Sequence, residues 1–241
     1  MQISFDNIDV AILCGGLGTR LKSILKECPK VMAKMNGRPF LEILIDYYKS
    51  NGFKRFILCT GYKAEIIQHY FQGKHKGDEV VISQEKEPLG TGGAIKKALS
   101  KITSNPFIVV NGDSFLKVDF LELLEFHNKS NALTTIALVK LKDTRRYGRV
   151  NVDSTGKILN FDEKIQSKKD GWINGGVYIL NKEIFEKFDK HRRSFSLEYD
   201  LFPRLVGLDF YGMKTNGEEF IDIGTPDDFL KANEIIAKAL R

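Results

Sequence analysis

A glycine-rich segment near the N-terminus carries the first residues whose types and spacing could do chemistry. Residues 15–21 read Gly-Gly-Leu-Gly-Thr-Arg-Leu and directly follow an apolar run that ends at Cys14. Glycine lets backbone amides approach a ligand where a Cβ atom would collide. A threonine hydroxyl and an arginine guanidinium are suited to bind and neutralise phosphate oxygens. The segment predicts a loop that cradles a polyphosphate, and a turn that binds nothing is the alternative.

Two well-known phosphate-binding motifs do not fit this segment. A P-loop requires Lys-Ser or Lys-Thr after its last glycine, whereas Thr-Arg follows Gly18 here. A dinucleotide-binding loop that began at Gly16 would need a third glycine where Leu21 stands. It would also need an acidic residue at the end of the next strand, and the strand predicted at 55–60 has none.

Six further motifs place polar, charged or glycine residues beside predicted strands. They are Pro29-Lys30, Glu85–Ala94, Val109–Asp113, Phe161–Lys164, Asn174–Gly176 and Phe220–Thr225. In this order and spacing the chain resembles the sugar-1-phosphate nucleotidyltransferases, from Val10 to about Ala239. Within that family it is most similar to the D-glycero-α-D-manno-heptose 1-phosphate guanylyltransferases, in segments 15–21, 173–180, 196–203 and 221–229.

The resemblance implies attack by a sugar-1-phosphate oxygen on the α-phosphorus of a nucleoside triphosphate, with release of pyrophosphate. Because the nucleophile arrives ionised, the protein needs alignment and charge neutralisation rather than a general base. By resemblance, Asp113 and Asp222 hold one Mg²⁺, for which Mn²⁺ can substitute. Arg20 and Lys30 are expected to contact the β- and γ-phosphates, and Lys164 is expected to contact the sugar phosphate.

The resemblance also assigns two sets of binding residues. Those expected on the nucleotide are Cys14, Gly15, Gly16, Gly18, Thr19, Glu85, Pro88, Leu89, Gly90 and Thr91. Those expected on the sugar phosphate are Gly112, Tyr147, Gly148, Glu163, Asn174 and Gly175. Glycine weakens strands, so the glycines in the strand-like run at 174–176 favour close approach of a ligand, with a plain β-bulge as the alternative.

Glu85 carries the prediction about the base. Relatives that transfer uridylyl or thymidylyl groups commonly have glutamine at the matching position. Guanine presents two parallel donors, N1–H and the 2-amino group, and an ionised carboxylate offers two acceptors to them. We therefore predict that the nucleotide is GTP. The alternative is that Glu85 is merely one of three charges on an exposed loop, with Lys86 and Glu87.

Apolar patterning predicts the elements that must position these residues. Short buried strands at 8–14, 55–60, 80–83 and 107–111 alternate with helical segments at 40–49, 64–71 and 91–100. Such alternation favours an α/β fold with a Rossmann-like, mixed and mainly parallel sheet flanked by helices. The resemblance implies the glycosyltransferase-A-like nucleotidyltransferase version of this fold.

Strands outnumber helices after residue 113, so we expect a small mixed-strand extension that completes the sugar site. A final helix is predicted at about 226–240. The prediction is a single domain over residues 1–241. Its first half, 1–113, mainly binds the nucleotide, and its second half, 114–241, mainly binds the sugar phosphate.

Composition excludes several other classes of protein. The 241 residues carry a formal net charge of +6, but the basic residues are spread out, so no nucleic-acid partner is predicted. No apolar run approaches about 18 residues, and the N-terminus lacks a basic signal region. Three cysteines without metal-ligand spacing are typical of a reducing compartment. We therefore expect a cytoplasmic protein without a membrane segment, whose four scattered histidines are surface or structural residues.

The predicted partners are GTP and a sugar 1-phosphate, and several alternatives stay open. Mannose 1-phosphate differs from the heptose substrate only at the far end of the sugar, and UTP, dTTP or CTP would suit other family members. A catalytically inactive nucleotide-sugar sensor on the same fold is the alternative from another class. The sequence leaves the oligomeric state open, a homodimer included, and capsule, S-layer and lipopolysaccharide pathways would all fit.

Overall fold

A computed structural model describes residues 4–16, 28–72, 79–162, 169–216 and 219–239 of the chain. Its α-helices are α1 (Phe40–Ser50), α2 (Ala64–Phe71), α3 (Gly90–Ala98), α4 (Phe120–Lys129), α5 (Glu183–Asp189), α6 (Phe202–Leu205) and α7 (Pro226–Ala239). Two short 3₁₀ turns lie at Phe5–Asn7 and Lys30–Met32, and a π-helical turn lies at Leu197–Leu201. None of the helices in these ranges is long and apolar enough to cross a membrane.

Thirteen strands are present in the same ranges. They are β1 (Asp9–Leu13), β2 (Lys34–Met35), β3 (Arg38–Pro39), β4 (Arg55–Thr60), β5 (Glu79–Gln84), β6 (Phe107–Asn111), β7 (Ser114–Leu116), β8 (Thr134–Leu141), β9 (Arg149–Val152), β10 (Ile158–Asp162), β11 (Gly171–Leu180), β12 (Phe210–Lys214) and β13 (Phe220–Asp222). The predicted positions of the strands that carry the motifs agree with these bounds to within a few residues.

One mixed sheet of nine strands forms the centre of the molecule. Its order is β10-β9-β11-β6-β1-β4-β5, and β8 pairs with both β11 and β12. Strands β6, β1, β4 and β5 are mutually parallel, whereas β11 runs antiparallel to β6 and β8. The predicted α/β class is confirmed. The two halves expected from the sequence share this one sheet, because β6 of the first half pairs with β11 of the second.

Helices cover the sheet because its strands are apolar on both faces. Along β1, Val10 and Ile12 pack into one hydrophobic cluster, whereas Ala11 packs into the cluster on the opposite face. A sheet buried on both faces keeps water from its middle, so ligands bind beyond the carboxyl ends of its strands. Helix α1, which the sequence predicted at 40–49, covers part of one face, and its Phe40 and Leu44 are buried.

A separate two-stranded sheet lies at the carboxyl edge of the central sheet. Directly after β6 the chain turns into β7, which pairs antiparallel with β13 from the C-terminal part of the chain. The register places Asp222 opposite Ser114. A residue near the end of the sequence is therefore held beside the carboxyl end of a central strand.

Candidate active site

Asp113 and Asp222 lie side by side at the carboxyl edge of the sheet. Asp113 follows β6, and the ladder between β7 and β13 holds Asp222 opposite the next residue, Ser114. The backbone N–H of Ile223 donates to the carbonyl oxygen of Asp113 at 3.0 Å. These backbone bonds place the two carboxylates together although they are far apart in the sequence, as a shared metal site requires.

Lys30 projects its ammonium group between these carboxylates. Its Nζ lies 2.7 Å from Oδ2 of Asp113 and 3.7 Å from Oδ1 of Asp222, and the lysine side chain is only 10% exposed. Burial raises the pKa of the Asp222 carboxyl, and the neighbouring charge of Asp113 raises it further. Oδ1 of Asp222 is buried and accepts no hydrogen bond from the described residues. The pair thus concentrates negative charge that favours a bound cation.

Two hard carboxylate oxygens suit Mg²⁺, which proteins commonly hold through one or two carboxylates together with substrate phosphates and water. In the described ranges, no group of three or more His, Cys, Asp and Glu side chains is placed to bind a metal. A divalent ion at Asp113 and Asp222 would therefore take its remaining ligands from substrate and solvent, which fits the donors that are present.

A cavity of about 590 Å³ opens beside this pair. Ten of the residues predicted for the site line it, and they come from both halves of the chain. They are Gly15, Gly16, Lys30, Pro88, Gly90, Thr91, Asp113, Tyr147, Gly148 and Asn174. Burial and the nearby Asp222 raise the pKa of Tyr147 to about 12, so this wall of the cavity is a neutral phenol.

Some predicted residues lie behind the cavity wall rather than on it. Cys14 is buried, and its thiol donates to the carbonyl oxygen of Ile12 at 3.4 Å. The N–H of Gly112 donates to the carbonyl oxygen of Leu13 at 3.0 Å, so it is not available to a sugar. A Cβ atom at Gly112 would lie 2.5 Å from that oxygen. The glycine is therefore explained by the close approach of β1, and only its carbonyl group remains for a ligand.

The glycines after Asn174 have a different cause from the one expected. The pairing of β11 with β8 shifts register between Asn174 and Tyr178, which marks a β-bulge or similar irregularity. A Cβ atom on Gly175 would lie 2.7 Å from a methyl group of Leu116, and Gly176 has a φ of +75°. Protein atoms occupy the space that was expected for a ligand. The plain β-bulge, the alternative interpretation, is the better account of these glycines.

Glu85 is half-buried, whereas its neighbours Lys86 and Glu87 are exposed. Its Oε2 accepts a hydrogen bond from the N–H of Leu89 at 3.2 Å. Its Oε1 lies where a Cβ atom on Gly61 would be only 2.6 Å away. Burial raises the pKa of this carboxyl. The residue is therefore held in a defined position beside the glycine-rich segment, unlike a charge on an exposed loop.

The glycines at the start of α3 pack against a distant loop. The N–H groups of Gly92 and Gly93 donate to the carbonyl oxygen of Phe195 at 2.9 and 3.1 Å. A Cβ atom at Gly92 would overlap the Phe195 ring, and one at Gly93 would lie 2.4 Å from the carbonyl oxygen of Arg193. These glycines let the loop before the π-helical turn reach the segment that carries Thr91.

Sequence reasoning missed four polar side chains that line the cavity. They are Asn111, Arg146, Glu198 and Tyr199. Asn111 and Arg146 directly adjoin predicted residues, so adjacency to a motif was the available signal. The other two belong to segment 196–203, which supported the resemblance but from which no site residue was chosen.

Five predicted site residues lie outside the described part of the chain. They are Gly18, Thr19, Arg20, Glu163 and Lys164. Their roles stay predictions from the sequence.

The cavity lies at the carboxyl edge of a parallel sheet, where α/β proteins typically bind phosphorylated ligands. Residues 10–239 match the family model described as "Nucleotidyl transferase". Because this match covers nearly the whole chain, the protein belongs to the nucleotidyl transferase family, and it is an enzyme of that class.

Named relatives agree with this assignment. The chain is 45% identical to a D-glycero-alpha-D-manno-heptose 1-phosphate guanylyltransferase of Campylobacter jejuni, over 90% of this chain and 95% of that protein. It is 42% identical to an enzyme of the same description from Aneurinibacillus thermoaerophilus, over 94% and 97% of the two chains. The crystal structure of HddC from Yersinia pseudotuberculosis complexed with GMP-PN is 39% identical, with a TM-score of 0.82, over 94% of this chain and 98% of that one.

Proposed function

We propose that this enzyme joins GTP and D-glycero-α-D-manno-heptose 1-phosphate to give GDP-heptose and pyrophosphate. The observation that carries the proposal is the similarity to two heptose 1-phosphate guanylyltransferases over nearly the full length of all three chains. The relative that was solved with GMP-PN supports a guanine nucleotide. The cavity, which residues of both halves line, gives room for a nucleotide and a sugar phosphate together.

The protein's task in this reaction is alignment and neutralisation. A sugar-1-phosphate oxygen is already ionised at neutral pH, so no side chain has to remove a proton from it. Lys30 supplies a buried positive charge beside the reacting groups. Fixed charges in a partly dry site stabilise charge that develops in the transition state.

Asp113 and Asp222 are proposed to hold Mg²⁺, with Mn²⁺ as a substitute. When bound, the ion would reduce the repulsion between the two phosphate groups that must approach one another. The proposal is supported by the adjacent carboxylates and by the buried Oδ1 of Asp222, which accepts no hydrogen bond from the described residues.

The nucleotide is proposed to bind along the glycine-rich segment, with backbone groups of Gly15 and Gly16 against it. Gly18, Thr19 and Arg20 are proposed to complete the phosphate cradle, and Glu85 is proposed to accept from the guanine base. Support for Glu85 comes from its fixed position next to Gly15, where a Cβ atom would lie 3.0 Å from its Oε1.

A matched pair of variants tests the base assignment. Glu85→Gln should shift the ratio of GTP to UTP use by about tenfold or more, because a buried polar group left unpaired costs roughly 1–3 kcal/mol. The exposed neighbour Glu87 gives the control variant Glu87→Gln, which should leave the ratio unchanged. An unchanged ratio in both variants would move base recognition to backbone groups around Leu89 and Gly90.

The sugar phosphate is proposed to bind on the side of Tyr147, Gly148 and Asn174, all of which line the cavity. Glu163 is proposed to accept from sugar hydroxyls, and Lys164 is proposed to contact the sugar phosphate. Lys164→Ala should then raise the KM for the sugar phosphate far more than the KM for GTP. A larger rise in the KM for GTP than in the KM for the sugar phosphate would contradict this role of Lys164.

The deciding experiment is a pyrophosphate-release assay over four nucleoside triphosphates and several sugar 1-phosphates. GTP with the heptose 1-phosphate should give the highest kcat/KM. A preference for mannose 1-phosphate would establish the alternative sugar, and no turnover of any pair would favour the inactive sensor. The joint presence of Lys30, Asp113 and Asp222 in one cluster argues for an active enzyme.

Two wider assignments belong to the same proposal. We place the enzyme in the cytoplasm, where GTP is available, and we propose that its product supplies a heptose-containing surface polysaccharide. Cell fractionation and the loss of heptose from surface polysaccharide in a deletion strain would test these assignments separately from the assay.

A further inference from the structure

Glu198 reaches the cavity from the π-helical turn that follows Phe195. The hydroxyl of Ser196 accepts from the N–H groups of Glu198 and Tyr199 at 3.1 and 3.2 Å, which fixes the start of the turn. This turn rests on α3 through the bonds between the Phe195 carbonyl and two glycine N–H groups. The backbone around Glu198 is thus fixed by the Ser196 hydroxyl within the turn and by the bonds of Phe195 to α3.

One carboxylate oxygen of Glu198 is taken up by the protein. The hydroxyls of Thr91 and Ser196 donate to its Oε2 at 2.7 and 2.8 Å. Thr91 in turn accepts from the N–H of Leu197 at 2.8 Å. Two donors on one oxygen fix the orientation of the carboxylate.

The second oxygen, Oε1, keeps acceptor capacity. Among the described residues, the hydroxyl of Tyr178 donates to it at a long 3.3 Å, and a carboxylate oxygen can accept two hydrogen bonds. No lysine or arginine of the described residues forms an ion pair with Glu198. Its neighbour Asp200, by contrast, is paired with Arg192 at 2.8 Å. A half-buried carboxylate with an open acceptor at a cavity wall calls for a donor from the ligand.

A continuous series of hydrogen bonds joins this oxygen to the proposed sugar side. The amide of Asn174 donates to the hydroxyl of Tyr178 at 2.9 Å, and that hydroxyl donates to Oε1 of Glu198. The carbonyl oxygen of the Asn174 side chain accepts from the N–H of Gly176 at 2.9 Å. Asn174, Tyr178 and Glu198 therefore act as one preorganised polar strip.

We propose that Glu198 is a sugar-binding residue whose Oε1 accepts a hydrogen bond from a hydroxyl group of the sugar 1-phosphate. The inference rests on the proposed function, which places the sugar beside Asn174. A hydroxyl group is the neutral donor that a sugar offers, whereas a phosphate group would be repelled by the carboxylate. Glu198 would thus help to choose between sugars by the position of one hydroxyl.

The test compares the two substrates in one variant. Glu198→Gln keeps the shape and an acceptor for Thr91 and Ser196 but removes the charge. Loss of a hydrogen bond to a charged group corresponds to a change of about tenfold or more. We expect the KM for the sugar 1-phosphate to rise by that amount and the KM for GTP to change less than about twofold. The exposed Glu186 on α5 gives the control Glu186→Gln, which should change neither value.

Deoxy sugars separate binding from a structural role. Among mono-deoxy mannose 1-phosphates, one analogue should bind equally to wild type and Glu198→Gln, because it lacks the hydroxyl that Glu198 contacts. Calorimetry in the presence of a non-hydrolysable GTP analogue measures this binding without turnover. Thr91→Val removes the hydrogen bond to Oε2 but leaves the Glu198 carboxylate in place. This variant should therefore still bind the full sugar 1-phosphate more tightly than that deoxy analogue.

The outcomes distinguish this inference from the proposed function. A wild-type enzyme that uses a sugar 1-phosphate, together with an unchanged sugar KM in Glu198→Gln, would overturn the inference alone. An equal rise of both KM values would assign Glu198 to the nucleotide and overturn it as well. A wild-type protein that binds no sugar 1-phosphate would overturn both.

Discussion

Lys30 and Asp113 form an ion pair with 2.7 Å between Nζ and Oδ2, although they stand 83 positions apart in the chain. The same ammonium lies 3.7 Å from Oδ1 of Asp222. A fixed cation thus sits at the two carboxylates proposed to hold Mg²⁺. Lys30 and the metal ion would therefore compete for the same negative charge until phosphate groups arrive and offer the lysine a new partner.

Lys30→Met should strengthen metal binding to the nucleotide-free enzyme while it weakens catalysis. Removal of a like charge within about 4 Å of the metal oxygens should raise the affinity for Mn²⁺ by about tenfold. Loss of the positive charge that Lys30 places beside the phosphates should lower kcat by on the order of 10²–10³. Electron paramagnetic resonance of Mn²⁺ measures the first effect. The exposed Lys34 supplies the control Lys34→Met, and weaker Mn²⁺ binding in Lys30→Met would contradict the competition.

Asp113→Asn and Asp222→Asn should each reduce kcat by on the order of 10²–10³, because each removes a charged ligand from the proposed metal site. Thermal unfolding should show that both variants remain folded. The exposed Asp170 gives the control Asp170→Asn, with unchanged turnover. Near-normal activity in either site variant would refute the metal assignment.

Gly93→Ala should destabilise the protein by about 1–3 kcal/mol, as overpacking does. The added Cβ would lie 2.4 Å from the backbone oxygen of Arg193, which cannot move without shifting the loop. Gly16→Ala is the matched comparison, since a Cβ there meets no described atom within 4 Å. Its stability should stay within about 0.5 kcal/mol of wild type.

The same Gly16 variant should nevertheless raise the KM for GTP, because Gly16 lines the cavity. Urea unfolding and steady-state kinetics of both variants check the two halves of this prediction. Equal stability of Gly93→Ala and Gly16→Ala would show that the loop is not held against α3 as described.

His127 should make the protein less stable in mild acid. Burial lowers its pKa from 6.5 to about 4, and its Nδ1 lies 2.8 Å from the hydroxyl of Thr135. The folded protein favours the neutral His127 ring. The stabilisation that this ring contributes is present above pH 6.5 and is lost as the pH falls toward 4. The full shift corresponds to about 3 kcal/mol.

Urea unfolding at several pH values between 7 and 4 measures the effect of His127. His127→Gln should lose less free energy of unfolding than wild type over this interval. His69→Gln, at an exposed residue of α2, should follow the wild-type curve. Identical curves for all three proteins would mean that the buried ring does not control the pH dependence.

Local patterning was sufficient for many elements of the fold, but it predicted none between residues 181 and 225, where α5, α6, β12 and β13 lie. The helix predicted at 40–49 is α1 (Phe40–Ser50), and the strand predicted at 55–60 is β4 with the same bounds. Both depend on interactions between neighbours in sequence and on the period of burial, which a sequence displays directly. Asp113, which the resemblance assigned to the metal, follows β6, a strand that the sequence also predicted.

The reason for a glycine could not be read from the sequence alone. Gly175 and Gly112 were assigned to ligand contact, but atoms of Leu116 and Leu13 fill the space beside them. A glycine indicates that other atoms approach the backbone closely. Whether these atoms belong to a ligand or to the protein depends on which segments pack there. Glu198 was missed for the related reason that Tyr178 and Thr91, which donate to its two carboxylate oxygens, come close to it only in the folded chain.

The sequence by itself determined the class of fold, the family and the residues at the strand ends where a site should form. The resemblance paired Asp222 with Asp113, but only the tertiary structure shows how Asp222 is held beside Asp113 and that Lys30 lies between them. The physical reason is the ladder of β7 with β13, in which backbone hydrogen bonds set a register between segments far apart in the chain. Such long-range pairing is fixed by the packing of the whole sheet, and no local pattern of residues records it.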